Sequence, residues 1–204
     1  MYTVALPELK PSTKLRWQEE DGVSEAEFEA FCQANPDLRA ERTAGGEIVI
    51  MAPAGGEGSY RSGTAFAQLL HWAESEGRGV ALDASAGFFL PDGSSLSPDA
   101  AWVSRERLRR LTPKERKKFL RLCPEFVIEV MSPSDRLKEA KAKMENWIAN
   151  GAELGWLIDA DKRTVYAYRP RHAVKTLRGI QEIAGAGPVQ GFVLQLSRIW
   201  QGLA

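Results

Sequence analysis

The chain is predicted to fold as α/β, in the sense of an α+β mixed sheet flanked by helices. Three observations predict it. Short apolar runs bounded by turn residues recur along the chain as strands. Two longer segments carry apolar residues at helical spacing: Phe66, Leu69, Leu70 and Ala73, then Leu137, Ala140, Met144, Trp147 and Ile148. The segment from Glu125 to Ile158 has the length of a strand–helix–strand crossover.

The elements follow in order. Residues 1–23, with Pro7 and Pro11 and no periodic pattern, read as an N-terminal arm, and 24–204 as a single domain. Ser24 followed by Glu27 forms a capping box, so a helix runs to about Asn35, where Pro36 stops it. Leu38–Thr43 and Glu47–Ala52 flank Ala44-Gly45-Gly46 as a hairpin. Pro53–Ser59 reads as a Gly-rich loop before the first long helix, which Gly77 and Gly79 end. Val80–Leu82 and Gly87–Leu90 are short strands, and Pro91-Asp92-Gly93 is a turn. Ser97–Val103 reads as a strand, and two short helices cover Glu106–Arg110 and Pro113–Arg121. Glu125–Met131 looks like a central strand. A helix opens near Ser132-Pro133-Ser134 and runs to Asn150-Gly151. Leu154–Ile158 and Thr164–Tyr168 pair around Asp161-Lys162, and a β-rich tail closes with Phe192–Leu196 and a short helix.

Composition excludes several classes. The chain has 204 residues, 44% hydrophobic and 26% charged, which suits one globular domain and argues against wholesale disorder. No apolar run reaches the roughly 18 residues of a membrane span, and Met1–Lys14 does not read as a secretory signal. Cys32 and Cys123 form neither a disulfide framework nor a metal motif, so a reducing cytoplasm is the expected compartment. Formal net charge is zero, which excludes coating of nucleic acid by bulk charge. The charges are nonetheless segregated. Between Arg16 and Glu47 nine acids face three arginines, and between Ser104 and Arg121 nine basic residues face only Glu106 and Glu115. That basic segment could hold phosphates, or be a solvated helical face.

One constellation carries chemistry. Glu129 lies alone among the apolar residues Phe126 to Val130, and Asp99 follows Pro98 in the strand before it. A carboxylate in a buried strand is costly unless it is paired or binds a cation. Two carboxylates on neighbouring strand ends can hold one or two divalent ions, which polarise a phosphodiester and activate water. Lys141 and Lys143 follow on the next helix, and an ammonium there stabilises developing negative charge. On the residues alone, an ordinary salt bridge at Glu129 and a turn ended by Asp99 stay open. Other candidates lack a pattern. Gly55–Gly58 has no Gly-Lys-Ser/Thr ending, His71 and His172 are isolated, and neither Ser59 nor Ser62 sits in a nucleophile elbow. Cys123, Trp102, Trp147 and Trp156 fit core positions.

Several strings, in order along the chain, resemble the Uma-two family of bacterial endonucleases. They are Glu41-Arg42-Thr43 with Gly46 to Pro53, Ser97-Pro98-Asp99 to Val103, Pro124 to Arg136, Lys143-Met144, Gly155 to Asp159, Gly191-Phe192-Val193 and Ile199-Trp200. The resemblance implies a restriction-endonuclease-like fold with a PD-(D/E)xK site. Pro98-Asp99 is then the PD element and Glu129 the second acid. The pattern asks for lysine at position 131, which is Met here. The resemblance moves that lysine to the following helix and favours Lys143 over Lys141, between which spacing does not choose. It places Glu41 with the metal-binding acids and implies Asp99, Glu129 and the Val130 carbonyl as ligands of Mg²⁺ or Mn²⁺. The implied activity is hydrolysis of DNA phosphodiester bonds, with water as nucleophile, no organic cofactor, and a homodimer. Two other readings use the same acids: a catalytically silent nucleic-acid- or protein-binding module, and a hydrolase of small phosphodiesters.

Overall fold

The computed structural model describes residues 13–15, 22–51, 53–133 and 135–204. Most of the arm expected over residues 1–23 lies outside the described residues. Within it, β1 (Thr13–Leu15) pairs antiparallel with Ile48–Ile50. Ser24 caps α1 (Glu25–Ala34): its hydroxyl accepts from the Glu27 N–H while the Glu27 carboxylate accepts from the Ser24 N–H. The hairpin follows as β2 (Arg39–Arg42) and β3 (Ile48–Met51).

The first long helix, α2 (Gly56–Glu76), starts inside the stretch expected to be a loop. Gly55 stands at its N-cap, and the Glu57–Arg61 pair at 3.0 Å braces the first turns, so the glycines there cost less than composition suggests. Gly77, with φ of +81°, ends α2 in the left-handed conformation. Then come β4 (Gly79–Asp83), β5 (Phe88–Phe89), β6 (Ser95–Leu96) and β7 (Ala100–Ser104). The single strand expected over Ser97–Val103 is thus broken. Pro98 has no N–H for a ladder, and Ser97–Asp99 becomes a corner between β6 and β7. After α3 (Arg105–Arg109) and a 3₁₀ turn at Glu115–Lys117 come β8 (Phe126–Val130), α4 (Leu137–Ala149), β9 (Leu154–Asp159) and β10 (Thr164–Tyr168). The tail supplies β11 (Lys175–Arg178), β12 (Glu182–Ala184), β13 (Val193–Gln195) and α5 (Ser197–Gln201).

The strands form two main sheets. One has the order β1-β3-β2-β6-β5; the other, β11-β10-β9-β8-β7-β4, is mixed, with only β8 and β9 parallel around α4. β12 and β13 make a separate ribbon. Because side chains alternate along a strand, the six-stranded sheet presents two apolar faces. Trp102, Phe126, Ile128, Trp156 and Ile158 pack with Ala65 and Leu69 of α2. Ala101, Val103, Val127 and Leu157 pack with Met144 and Trp147 of α4. Burial on both faces explains the near-continuous apolar run of β8.

The first face is tightly closed at Gly79. A Cβ built there would lie 2.2 Å from the Trp102 ring. Gly79→Ala is therefore expected to destabilise the protein by about 1–3 kcal/mol, read as a lower urea midpoint with an unchanged denaturant slope.

Candidate active site

Strand pairing brings the two acids together. In the antiparallel β7–β8 pair, Ala100 stands opposite Ile128. One step further along the same register, Asp99 stands opposite Glu129. Both positions share the parity of Ala101 and Val127, so both face α4. The Asp99 carboxylate is fastened by the backbone beside it: the Val130 N–H donates to its Oδ2 at 2.7 Å. In an extended strand the N–H and C=O of one residue point to the same side, so the Val130 carbonyl also lies toward Asp99.

The helix supplies the cation. Met144 and Trp147 anchor α4 in the core, and Lys143, next to Met144, is turned toward the sheet end. Its Nζ lies 2.9 Å from Glu129 Oε1, 2.8 Å from Glu41 Oε1 and 3.0 Å from the Ser97 carbonyl. All three ammonium protons are thereby directed. Lys141 lies elsewhere, with Nζ 4.4 Å from the centre of the Tyr166 ring. Of the two lysines that spacing leaves open, the structure brings only Lys143 to the acids.

Glu41 reaches the same point from the other sheet. It lies in β2, which pairs with β6 through Arg42 and Ser95. Its Oε1 accepts from Lys143 and also from the Ser97 N–H at 3.0 Å. The contacts shown have Glu41 hold Lys143 through Oε1, while its Oε2, like that of Glu129, has no hydrogen-bond partner among the described residues. The Ser97–Asp99 corner thus supplies a donor to Glu41, an acceptor to Lys143, and the Asp99 carboxylate.

Three groups were not singled out for the site from the sequence. Trp147, assigned to the core, is buried, but its Nε1–H donates to Glu129 Oε1 at 2.9 Å. Ser97 acts through its backbone, which carries no side-chain signal. Arg39 lies on β2 two residues before Glu41, close enough for its charge to act on Asp99. The basic segment Ser104–Arg121 is partly neutralised. Arg107 pairs with the buried Glu125, Arg110 with Glu106, Lys118 with Glu29 and Arg121 with Glu25.

The electrostatics are those of a site short of positive charge. Burial raises the pKa of Asp99, opposed by the Val130 N–H and the charges of Lys143 and Arg39. Glu129 is raised to about 7: burial first, then the neighbouring Asp99 and Glu41, push it up against the downward pull of Lys143. Burial disfavours the Lys143 ammonium, but the combined pull of Glu129 and Glu41 outweighs this and raises its pKa. Among the described residues no group of three or more His, Cys, Asp or Glu side chains is gathered for a metal ion. The donor set here is smaller and hard. Glu129 Oε1 is committed to Lys143 and Trp147 and Asp99 Oδ2 to Val130, leaving Oε2 and Oδ1 without a hydrogen-bond partner among the described residues. Two such oxygens and a strand carbonyl fit Mg²⁺ or Mn²⁺ chemistry.

Residues 25–197 match a protein-family model described as "Uma2: Putative restriction endonuclease". The chain belongs to the Uma2 family. Its fold is restriction-endonuclease-like, and it resembles the crystal structure of "a putative nuclease belonging to DUF820" from Anabaena variabilis ATCC 29413. The TM-score is 0.67 at 19% identity, covering 81% of this chain and 91% of that one. A search of curated proteins gave no match. Position 131, where the general nuclease pattern places lysine, is Met in this Uma2 member, and the lysine beside the acids comes from α4.

The raised Glu129 pKa has a stability consequence. Its value of about 7 in the fold exceeds the ordinary 4.5, so the folded state binds this proton more tightly than the unfolded chain. That contribution is complete below the ordinary value and is lost as pH rises through about 7. Glu129→Gln keeps the shape and removes the titration. In metal-free buffer, the unfolding free energy of Glu129→Gln minus that of wild type should increase by on the order of 2 kcal/mol from about pH 4.5 to about pH 8. Urea titrations at the two pH values check this.

Proposed function

We propose that this chain is an endonuclease that hydrolyses DNA phosphodiester bonds with the help of Mg²⁺ or Mn²⁺. The observation that carries this reading is the meeting of Asp99, Glu129 and Lys143 at the ends of β7 and β8, in a member of the Uma2 family. Asp99 Oδ1, Glu129 Oε2 and the Val130 carbonyl would hold the ion. When bound, it polarises the scissile phosphate and lowers the pKa of the attacking water.

The chain's own residues do the rest. The Val130 N–H fixes Asp99, and the Trp147 N–H with Lys143 fixes Glu129. Holding the ligands by hydrogen bonds keeps their free oxygens oriented. The raised pKa keeps Lys143 an ammonium, so it serves as a fixed charge and not as a base. Beside Glu129 it is placed to stabilise negative charge building on the phosphorane. Glu41 and the Ser97 carbonyl hold that ammonium in place. Two copies related by a two-fold axis would bring one such site to each strand of a duplex. No helix of the described residues is long and apolar enough to cross a membrane, and the free Cys32 and Cys123 suit the reducing cytoplasm in which we place the protein.

Plasmid nicking with Mn²⁺ or Mg²⁺ tests the reading. Asp99→Ala and Glu129→Ala should each lower nicking by at least about 100-fold, with circular dichroism unchanged and ion binding weakened in calorimetry. Nicking that survives both substitutions overturns the assignment. Metal-independent DNA binding without turnover would identify a silent binding module. Cleavage of a chromogenic phosphodiester without affinity for DNA would identify a small-ester hydrolase.

A further inference from the structure

We propose that the DNA strand leaves the acid–lysine site over Arg39 and enters a surface hollow where Arg116 and Lys117 hold its next phosphates. This path rests on the nuclease reading of the site. It begins with strand register. The antiparallel β4–β7 pair ends with Asp83 opposite Ala100, so Ala84, which follows β4, and Asp99, which precedes β7, leave the sheet at the same end. The Arg39 Nη2 donates to the Ala84 carbonyl at 3.2 Å. Arg39 therefore lies at the rim of the site, on the side of Asp99 away from Glu129. It is exposed, and it pairs with no carboxylate among the described residues. Lys143, by contrast, is spent on two carboxylates.

Beyond Ala84 the chain continues directly into the hollow. Ser85, Ala86, Glu29, Arg116, Lys117 and Phe119 are among the residues that line it, around about 420 Å³. Arg116 donates its Nε–H to the Leu111 carbonyl at 3.0 Å, and neither Arg116 nor Lys117 pairs with a carboxylate among the described residues. The adjacent Lys118 is neutralised by Glu29 at 2.7 Å. Four of the nine cations of Ser104–Arg121 pair with carboxylates, and of those that do not among the described residues, Arg116 and Lys117 line this hollow.

The charge balance calls for such a path. Glu41, Asp99 and Glu129 against Lys143 repel an anionic strand, so phosphates flanking the scissile bond need cations outside the site. A guanidinium suits the nearest one, because its fork matches two phosphate oxygens. A line of separated cations suits a polyanion better than a single small phosphate.

The test combines duplex binding with nicking, using the full-length chain. Affinity for a fluorescently labelled duplex is measured in Ca²⁺ over a range of salt, and nicking is measured in Mn²⁺. Each lost phosphate contact should flatten the slope of log K against log salt by about 0.9. Arg39→Ala should flatten it by about 0.9 and Arg116→Ala/Lys117→Ala by about 1.8. The double variant should raise KM while kcat stays, whereas Arg39→Ala should lower kcat/KM by about tenfold or more. Arg110→Ala, an exposed cation paired with Glu106, should leave slope and nicking at wild-type values. If wild type binds and nicks but the Arg39 and Arg116/Lys117 variants keep its slope, this path falls and the nuclease reading stands. The path also falls if Arg110→Ala flattens the slope as much, since bulk charge would then explain the effect. A wild-type chain that neither binds nor nicks DNA overturns the nuclease reading and the path with it.

Discussion

The Lys143 ammonium is the joint on which the site depends. It is carried by α4 and donates to Glu129 from the six-stranded sheet, to Glu41 from the five-stranded sheet, and to the Ser97 carbonyl of the corner that links them. The side chains of Lys143, Glu129 and Glu41 are only 22%, 12% and 11% exposed. At that burial the desolvation cost consumes much of the Coulombic gain, so such a cluster adds little to net stability while being costly to break. What it contributes is geometry. Each carboxylate is held in one orientation by its hydrogen-bond partners.

The rest of the fold can be read as support for that joint. Alternation along β8 sends Ile128 toward α2 and Glu129 toward α4, so one strand serves the core and the site at once. The apolar face of α4 fixes the helix, and Trp147 extends from that face to donate to Glu129. A buried indole N–H needs an acceptor, and a strand carboxylate needs a donor. Each satisfies the other.

Much of this was legible in the sequence, for identifiable reasons. Glu129 stood out because an acid in an apolar strand breaks the local rule, and such breaks mark sites or buried pairs. The α4 pattern located the helix, yet it could not separate Lys141 from Lys143, because both flank the apolar stripe. Only the tertiary position of the helix decides. Asp99 lies in a stretch whose pattern reads as one strand, and Pro98, which has no N–H for a ladder, is the signal that the strand breaks there. The start of α2 was obscured by its glycines, whose cost is met by contacts that composition does not show. Ser97 and Arg39 left no trace, since a backbone contact and a rim guanidinium depend on which strands become neighbours.

The Ser97–Asp99 corner ties assembly of the site to completion of the fold. Glu41 and Lys143 lie 102 positions apart in the chain, and the corner between them belongs to neither sheet alone. Contacts of such long range form only after the intervening loops have closed, late in folding. A chain emerging from the ribosome or caught half-folded therefore keeps Glu41 apart from the Glu129–Lys143 pair that it completes. The cluster of Glu41, Glu129 and Lys143 is complete only once both sheets have come together.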